Sequence, residues 1–370
     1  MTYAAITGWG KCMPPAVLSN ADLATFLETD DDWITSRTGI RERRISHVPV
    51  TRLAHVAAAR ALACAGLDAA DLDLVVLGSC SYDEQVPNSA SGVQALLGAG
   101  SAAAMDVNTA CTSFLYGLSS ANAMIRTGVV RNAVVIGVEV ISPFMDWANR
   151  NVSVLFGDGA AAVVLQASPE KTGLLAEKLG CYADARHILR VRGMGAAYAN
   201  RGIPVGVTGW DFDGQEIFKR AVHGMTEASQ EALSRAGLAI GDIDLVVPHQ
   251  ANLRIIEFVG KRIGAARERV YLTVERYGNM SAATVPVALV DAIEEGRVKP
   301  GARLLTPAFG GGLTYCAHAI QWGERNTPLG TSPVELPPCP KSALEMVREI
   351  MAAKAGEGDA TAKLAAPLAA

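Results

Sequence analysis

Short apolar runs rich in valine recur along the chain, and helical patterns rich in alanine lie between many of them. Five of these runs include Leu74, Val135, Val163, Val246 and Leu304, and each is apolar at almost every position. A strand in which apolar and polar residues do not alternate is typical of a sheet that is covered on both faces. The pattern therefore predicts an α/β fold in which helices cover both faces of the sheets.

An internal repeat divides the chain into two similar parts. Residues 61–76 read ALACAGLDAADLDLVV and residues 232–247 read ALSRAGLAIGDIDLVV, so that ten of 16 positions are identical at a constant offset of 171. Each copy predicts a helix that ends at glycine, a short loop and a buried strand. We therefore expect two copies of one α/β unit, in residues 1–170 and 171–325.

The composition changes from Asn326 onward, where proline, glycine and alanine dominate. One short helix is predicted over residues 341–354. Terminal segments of this composition are usually poorly ordered unless another element holds them. We expect residues 326–370 to form a poorly packed extension that is flexible at its end.

The charge and hydropathy exclude two classes of protein. Thirty-three basic and 37 acidic residues give a formal net charge of −4, which offers no general electrostatic reason to bind nucleic acid. No apolar run reaches the roughly 18 residues that a membrane span needs. The first residues carry neither a basic start nor a long apolar stretch, so we expect no secretory signal.

The seven cysteines form no CxxC pair, and their number is odd. This pattern argues against a disulfide framework and against a zinc ribbon. We therefore expect a reduced, cytoplasmic protein without a bound metal, in which most cysteines are small buried hydrophobic residues.

Cys111 is the candidate nucleophile because it lies where an apolar segment gives way to a helical pattern. A thiol at a helix N-terminus meets free backbone N–H groups, and we expect these to lower its pKa. The offset of 171 also maps Asn108 onto Asn279, which precedes another predicted helix. The two turns would then face each other across one crevice. A buried structural cysteine is the alternative that local sequence leaves open.

His249 and a run of three glycines complete the candidate site. His249 follows the apolar strand that contains Val246, in the polar segment PHQAN. A single histidine in such a place is otherwise a surface or hydrogen-bonded core residue. Gly310, Gly311 and Gly312 lie between two predicted strands, where they could donate a backbone N–H to an oxyanion or form a tight turn.

These segments together resemble one known family. Cys111, HQAN at His249, GNMSAAT at Asn279 and FGGGLTY at Phe309 occur in the order and at the distances found in the β-ketoacyl-acyl-carrier-protein synthase III family. DDDWITSRTGIRERRI and FGDGAAA are also similar to that family, and the likeness covers roughly residues 1–325. It implies a thiolase-like fold with two pseudo-duplicated halves in a five-layered αβαβα core, and a homodimer.

The resemblance also implies a reaction. Cys111 would take an acyl group from an acyl-CoA. His249 and Asn279 would then donate hydrogen bonds to the thioester oxygen of malonyl-acyl-carrier protein as carbon dioxide leaves. The resulting carbanion would attack the acyl-enzyme, while the N–H groups of Cys111 and Gly311 hold the oxyanion. No cofactor is needed, since the CoA thioesters are substrates.

The resemblance assigns three further groups of residues. Residues for CoA and its pantetheine arm would be Trp33, Arg37, Arg150, Phe218, Ala251 and Asn252. Residues of the acyl pocket would be Val86 and Phe156. Basic residues for docking the carrier protein would be Lys219, Arg254, Lys261 and Arg262, each of which could equally be an ordinary solvated charge.

The chain departs from the family's pattern in three places. Thr112 and Ser113 follow the nucleophile, where the family often has Ala-Gly or Ser-Gly. Gln215 stands where many members have an asparagine near the CoA tunnel. Val86 stands where several members carry a bulky aromatic residue that limits the acyl pocket. A smaller residue there leaves more room, and we expect primers longer than acetyl to be accepted.

Other functions remain open at this level. A related thiolase-fold acyltransferase or a polyketide- or quinolone-type synthase would use the same three residues. A non-catalytic partner that binds acyl chains or carrier protein is an alternative from another class of function. Such partners usually lack one of the three residues that correspond to Cys111, His249 and Asn279. Cys316 lies in a predicted strand, which argues against the second active cysteine of a biosynthetic thiolase.

Overall fold

A computed structural model describes residues 1–199 and 206–355. The strands are β1 Tyr3–Cys12, β2 Ala16–Ser19, β3 Glu42–Ile45, β4 Leu74–Gly78, β5 Ala103–Val107, β6 Asn132–Glu139, β7 Gly159–Ser168, β8 Gly173–Cys181, β9 Leu189–Arg192, β10 Gly209–Phe212, β11 Leu245–Val246, β12 Arg303–Gly310 and β13 Thr314–Gln321. The helices are α1 Asn20–Ala24, α2 Asp31–Thr38, α3 Val50–Ala65, α4 Ser89–Leu97, α5 Ser113–Arg126, α6 Arg150–Ser153, α7 Ala196–Ala199, α8 Gly214–Ala236, α9 Leu253–Ile263, α10 Val274–Tyr277, α11 Thr284–Glu294 and α12 Ala343–Ala355.

Two large sheets form the core of the fold. The first has the strand order β1-β7-β6-β4-β5, in which β4 is parallel to β5 and β6, while β1 and β7 are antiparallel. The second has the order β11-β12-β13-β8. Every strand of the first sheet precedes every strand of the second in the chain, which supports a division near residue 170.

Helices cover the outer faces of both sheets and fill the space between them. Helices α3 and α4 pack on the outer face of the first sheet, and α8 packs with α9 on the outer face of the second. Helices α5 and α11 lie between the sheets, and the residues of α11 from Thr284 to Ile293 are all buried. A helix that is buried and mostly apolar on all sides is typical of such a central layer. The five-layered αβαβα arrangement is confirmed.

The repeated segment folds as the sequence predicts in both halves. Helix α3 ends at Gly66 with a φ of 65°, and α8 ends at Gly237 with a φ of 69°, a left-handed conformation that glycine adopts without strain. A 3₁₀ turn then leads into β4 in the first half and into β11 in the second. The prediction of a helix, a glycine, a loop and a buried strand is confirmed.

The aspartate of the FGDG segment joins three parts of the first half. Asp158 is fully buried, and its carboxylate accepts hydrogen bonds from the backbone N–H groups of Ser46, Ile141 and Ser142 and from the Ser142 hydroxyl. Burial raises the pKa of Asp158 to about 6, and these hydrogen bonds oppose that rise. Asp158 thus fixes the loop that carries Phe156 into the site described below.

The described part of the C-terminal extension packs against the first half, which differs from our expectation of poor packing. Val334 and Leu336 contact the core beside α3, and Glu335 forms an ion pair with Arg60. Helix α12 buries Ala343 and Val347 against β2 and β3. Apolar side chains spaced along the segment make this packing favourable. Residues 356–370, for which we expect flexibility, lie outside the described residues.

Neither a membrane span nor a metal cluster is present in the described ranges. No helix within 1–199 and 206–355 is long and apolar enough to cross a bilayer. In the same residues, no group of three or more histidine, cysteine, aspartate or glutamate side chains could hold a metal ion. All seven cysteines are free thiols.

Candidate active site

The turn that carries the candidate nucleophile connects β5 to α5. Cys111 lies in a 3₁₀ turn, Ala110–Thr112, and α5 begins at Ser113. Ala110 has a φ of 51°, a left-handed conformation that is uncommon for a residue with a side chain. The Asn108 side chain accepts a hydrogen bond from the Ala110 N–H. The turn places Cys111 in a large cavity, where it is 9% exposed.

The second half repeats this turn before α11. Ser281 has a φ of 46°, and its N–H donates to the Asn279 side chain at 2.8 Å. Ser281 and Ala110 are related by the same offset of 171 as the sequence repeat. The two turns contact each other, which confirms that Cys111 and Asn279 lie on equivalent, facing turns. Gly137 permits this approach, since a Cβ there would lie 2.4 Å from the Ala282 carbonyl oxygen.

One cavity of about 2480 Å³ brings the predicted catalytic residues together. It is lined by Cys111, His249, Asn279 and Gly311, which come from four different segments of the chain. Cys111, His249 and Asn279 are buried at the base of the cavity, and Gly311 is partly exposed beside them. Exposed side chains, among them Arg37, form its rim.

Hydrogen bonds fix the orientation of the Asn279 amide. The Oδ1 of Asn279 accepts the Ser281 N–H, so that its NH₂ group is the end that is free to donate into the cavity. The ring of His249 is held at Nδ1, which lies 2.5 Å from the Thr284 hydroxyl. Nε2 is therefore the histidine nitrogen available to a substrate. The sequence argument did not select Thr284, whose only signal is its place five residues after Asn279.

The charge state of His249 follows from its burial. Burial lowers the pKa of His249 to about 3, because the cationic ring loses its hydration. The imidazole is neutral near pH 7. A neutral ring has one N–H donor and one acceptor nitrogen.

The Cys111 thiol is less acidic than its place near a helix start predicts. Burial raises the pKa of Cys111 to about 11; the Ser281 hydroxyl and the N–H groups of Cys111 and Gly311 lower it, and the Glu139 carboxylate raises it. The expectation of a lowered pKa is therefore wrong for this structure. The cost of removing a thiolate from water exceeds the stabilisation that these donors provide.

The glycine run forms the opposite wall of the nucleophile turn. Gly310 ends β12, and a Cβ there would lie 2.7 Å from the Cys111 nitrogen, so only glycine allows this approach. Gly312 has a φ of 131°, outside the range of other residues. The N–H groups of Gly311 and Cys111 both face the Cys111 sulfur, where they lower its pKa against the larger effect of burial. An oxyanion hole needs two such backbone donors beside the nucleophile, aimed at the substrate oxygen.

A buried carboxyl group next to the nucleophile was not predicted. Glu139, at the end of β6, accepts the Cys80 N–H at 2.6 Å and the Cys80 thiol at 3.0 Å. Burial raises the pKa of Glu139 to about 7. Cys80 lines the cavity and lies 3.9 Å from the Ser281 hydroxyl. The apolar run around Val135 ends in this glutamate, which is the one sequence signal for it.

The residues predicted for CoA gather at the cavity rim. The guanidinium groups of Arg37 and Arg150 lie over the Trp33 ring, at 4.6 and 4.9 Å from its centroid. Asn252 donates to the Arg37 carbonyl and caps α9. The structure brings five of the six to the cavity wall, namely Trp33, Arg37, Phe218, Ala251 and Asn252, and it places Arg150 beside Trp33.

The predicted acyl-pocket residues differ in position. Phe156 lines the cavity next to Asn279 and packs against Trp210, with ring centroids 5.1 Å apart. Val86 does not line the cavity of its own chain and is 83% exposed. It lies on the loop that follows cavity residues 82–85.

The predicted docking residues divide into two pairs. Lys219 and Arg254 line the cavity and are exposed at its rim. Lys261 and Arg262 lie in the last turn of α9, about 10 Å along the helix from Arg254 at 1.5 Å per residue. The structure therefore brings the first pair, and not the second, to the opening.

The residues that depart from the family pattern have clear places. The Thr112 hydroxyl is within hydrogen-bond distance of the Thr109 carbonyl and the Thr314 hydroxyl, and the Ser113 hydroxyl donates to the Ala110 carbonyl. These bonds stabilise the nucleophile turn. Gln215 lines the cavity rim. Cys316 is buried within β13, as predicted.

The raised pKa gives a testable pH dependence for Cys111. The thiolate fraction rises about tenfold per pH unit below the pKa, and this pKa is about 11. The rate of Cys111 alkylation by iodoacetamide should therefore rise about tenfold per unit from pH 7 to pH 9. Peptide mass spectrometry follows the modification of Cys111 specifically. Cys80→Ala, with the other cavity thiol removed, should give the same slope, and a plateau below pH 8 would contradict the assignment.

Family models match both halves of the chain. A model of 3-oxoacyl-(acyl-carrier-protein) synthase III matches residues 105–183. A model of the C-terminal part of the same enzyme matches residues 233–322. The first match contains Cys111, and the second contains His249, Asn279 and Gly311.

Known proteins are similar over most of the chain. A β-ketoacyl-(acyl-carrier-protein) synthase III 2 of Vibrio cholerae is 52% identical over 345 residues, which cover 93% of this chain and 95% of that relative. The synthase III structure from Aquifex aeolicus is 39% identical with a TM-score of 0.81, covering 86% of this chain and 100% of that one. The priming β-ketosynthase of the R1128 polyketide pathway is 32% identical with a TM-score of 0.82, covering 87% and 97%. The chain therefore belongs to the 3-oxoacyl-(acyl-carrier-protein) synthase III family.

Proposed function

We propose that the protein condenses an acyl-CoA primer with malonyl-acyl-carrier protein to give 3-oxoacyl-carrier protein, CoA and carbon dioxide. The observation that carries this proposal is the convergence of Cys111, His249 and Asn279 at the base of one cavity, with Cys111 and Asn279 on equivalent turns of a duplicated fold. The protein acts as an acyltransferase that uses its own side chains and two thioester substrates.

The first half-reaction loads the primer onto the enzyme. The Cys111 thiolate attacks the thioester carbon of the acyl-CoA, and the carbonyl oxygen becomes an oxyanion. The N–H groups of Cys111 and Gly311 stabilise this charge, an effect worth several kcal/mol in other acyl transfers. The C–S bond to CoA then breaks, and the proton that the Cys111 thiol lost on forming the thiolate passes to the CoA sulfur. CoA leaves as a thiol, and the acyl group stays on Cys111.

The second half-reaction forms the carbon–carbon bond. The malonyl thioester loses carbon dioxide, and the electron pair of that bond moves toward the thioester oxygen. His249 Nε2 and the Asn279 amide donate hydrogen bonds to this oxygen, since both side chains direct these groups into the cavity. The carbanion attacks the acyl-enzyme carbonyl, and the Cys111 sulfur leaves as a thiolate.

The rim of the cavity suits the polar ends of the substrates. We propose that the nucleotide of CoA stacks on Trp33 and pairs with Arg37 and Arg150, which already lie together. Lys219 and Arg254 would meet the carrier protein at the opening. The positions of Lys261 and Arg262 make them outer contacts of the same basic surface.

The size of the cavity supports primers longer than acetyl. The cavity of about 2480 Å³ extends from Arg37 at the rim to Cys111 and Phe156, and this volume is large enough for a CoA thioester with an alkyl chain. The likeness to a priming β-ketosynthase makes the priming of a polyketide a second candidate function. The same chemistry would serve both functions, so the preferred primer separates them.

We propose a homodimer formed through the edge of the first sheet. β5 is the last strand of that sheet in the described chain, and it has a neighbour on one side. An unpaired edge offers N–H and C=O groups to a second copy of the chain. The exposed Val86 lies on a loop near this region and would be covered in such a dimer.

Primer loading tests the proposed function directly. Intact-mass spectrometry after mixing with acetyl-, butyryl-, octanoyl- or decanoyl-CoA should show one acyl adduct per chain. Cys111→Ala should abolish the adduct, while Cys80→Ala, the matched change at the neighbouring thiol, should keep it. We expect butyryl-CoA or a longer primer to react at least as fast as acetyl-CoA. No adduct from any primer would refute the reaction, and a strong preference for acetyl would refute the longer primer.

Charge reversal at the rim tests carrier docking. Arg254→Glu should lower kcat/KM for malonyl-acyl-carrier protein about tenfold, because a rim charge steers a charged partner. Steady-state kinetics at two salt concentrations measures this, and the loss should shrink at high salt. Lys171→Glu, an equally exposed change in the loop between β7 and β8, is the control. An equal loss in Cys111 acylation by acyl-CoA would argue against a docking role.

Sedimentation equilibrium tests the dimer. We expect a mass of about 77 kDa, twice the 38.7 kDa of the chain. Val86→Asp should shift the equilibrium toward the single chain, because a charge would then be buried at the interface. The same change should leave an isolated chain unaffected, since Val86 is exposed there. A wild-type mass of 38.7 kDa at micromolar concentration would rule the dimer out.

A further inference from the structure

Thr284 is the first residue of the central helix α11, and it contacts the candidate catalytic histidine. Its hydroxyl oxygen lies 2.5 Å from His249 Nδ1. Both residues are buried, and Thr284 is fully inaccessible to solvent. A hydrogen bond between two buried groups is not exchanged with water, so it determines where the imidazole proton lies.

The hydroxyl of Thr284 has one proton and two acceptors within reach. One is His249 Nδ1, and the other is the Ser281 carbonyl oxygen at 3.1 Å. The Ser281 carbonyl already accepts the backbone N–H of Thr284. It therefore has a partner without the hydroxyl, whereas Nδ1 has the Thr284 hydroxyl as its hydrogen-bond partner in the described chain.

The proposed condensation, on which this inference rests, needs a proton on His249 Nε2. This nitrogen must donate to the malonyl thioester oxygen as carbon dioxide leaves. A neutral ring that carries its proton on Nε2 has a lone pair on Nδ1, and that lone pair needs a donor. A proton on Nδ1 would instead turn a lone pair toward the developing negative charge, which would oppose the reaction.

The first half of the chain shows the alternative use of the same hydroxyl. Ser113 is equivalent to Thr284 at the offset of 171, and its hydroxyl donates to the Ala110 carbonyl at 2.6 Å. His249 itself maps onto Gly78, which has no ring to receive a proton. The two halves thus share the turn, but only in the second does a histidine nitrogen compete for the hydroxyl.

We propose that Thr284 is a positioning residue that donates its hydroxyl proton to His249 Nδ1 and so holds the imidazole proton on Nε2 for decarboxylation. Thr284 does not touch the substrate in this role. It acts through His249, as second partners of functional histidines do elsewhere. Acylation of Cys111 does not require it.

The experiment separates the two half-reactions in the full-length enzyme. Thr284→Val keeps the branched shape and removes the hydroxyl, and Thr284→Ser restores a hydroxyl at the same place. Thr226→Val is the matched control, since Thr226 is another buried threonine, in α8, whose hydroxyl bonds the Val222 carbonyl. Quenched single-turnover assays measure the rate at which Cys111 is acylated. The release of labelled carbon dioxide from malonyl-acyl-carrier protein measures the rate of the second step.

We expect Thr284→Val to slow carbon dioxide release by roughly tenfold to a hundredfold. This decrease approaches the decrease in rate that follows removal of one oxyanion-hole donor in other enzymes. Acylation should stay within about twofold of wild type, and Thr284→Ser should recover most of the lost rate. Neutron diffraction of the wild type should show the histidine proton on Nε2.

Four outcomes would overturn the proposal. These are an unchanged rate of release in Thr284→Val, an equal loss in both steps by a folded Thr284→Val enzyme, a failure of Thr284→Ser to recover, and a proton on Nδ1 in the neutron map. A misfolded Thr284→Val enzyme would lose both steps, and Thr284→Ser with the neutron map then decides. If the wild type itself forms no acyl adduct, the proposed function fails rather than this inference.

Discussion

The contact between two equivalent turns is the constraint on which the site depends. Each turn contains a residue with a positive φ, Ala110 in one half and Ser281 in the other, and each is held by an asparagine side chain. Such strain persists only where the surrounding structure determines it. Here the surrounding structure is the buried layer between the two sheets. Because both turns begin helices of that layer, the nucleophile and Asn279 cannot shift independently.

The same burial that orders the site also sets its electrostatics. It raises the pKa of Cys111 to about 11 and lowers the pKa of His249 to about 3, so that both groups are neutral in the free enzyme near pH 7. A histidine whose pKa is this low is a weak base, so it suits hydrogen-bond donation better than proton abstraction. The N–H donors of the nucleophile turn and of Gly311 then act when negative charge develops on a substrate oxygen, since they are oriented in advance.

Buried polar groups around the site share a second function, which is to fix geometry. Asp158 holds the loop of Phe156, and Gln250 uses its amide to join the His249 segment to the residues before α10. Each of these side chains has partners on more than one element. In a low-dielectric interior an unsatisfied polar group is costly, so these connections resist deformation. The rim, by contrast, includes exposed cations such as Arg37, Lys219 and Arg254, whose long side chains can adapt to large substrates.

The sequence by itself determined the α/β class, the duplication and the turns that carry Cys111 and Asn279. These features depend on local patterns, namely apolar runs, a helix that ends at glycine and a repeat at fixed offset. Such patterns favour the same local structure whichever distant segments pack against it. The order of motifs around His249 and Gly311 then indicated the family and hence the reaction.

Only the tertiary structure decided the acidity of Cys111, the partner of His249 and the packing of the extension. A helix start predicts a stabilised thiolate, but the desolvation of Cys111 is a sum over elements distant in the chain, and it outweighs the local donors. Thr284 and Glu139 carry no motif and gain their roles from their neighbours in space. Local sequence encodes backbone geometry, whereas burial and hydrogen-bond partners depend on which distant segments meet.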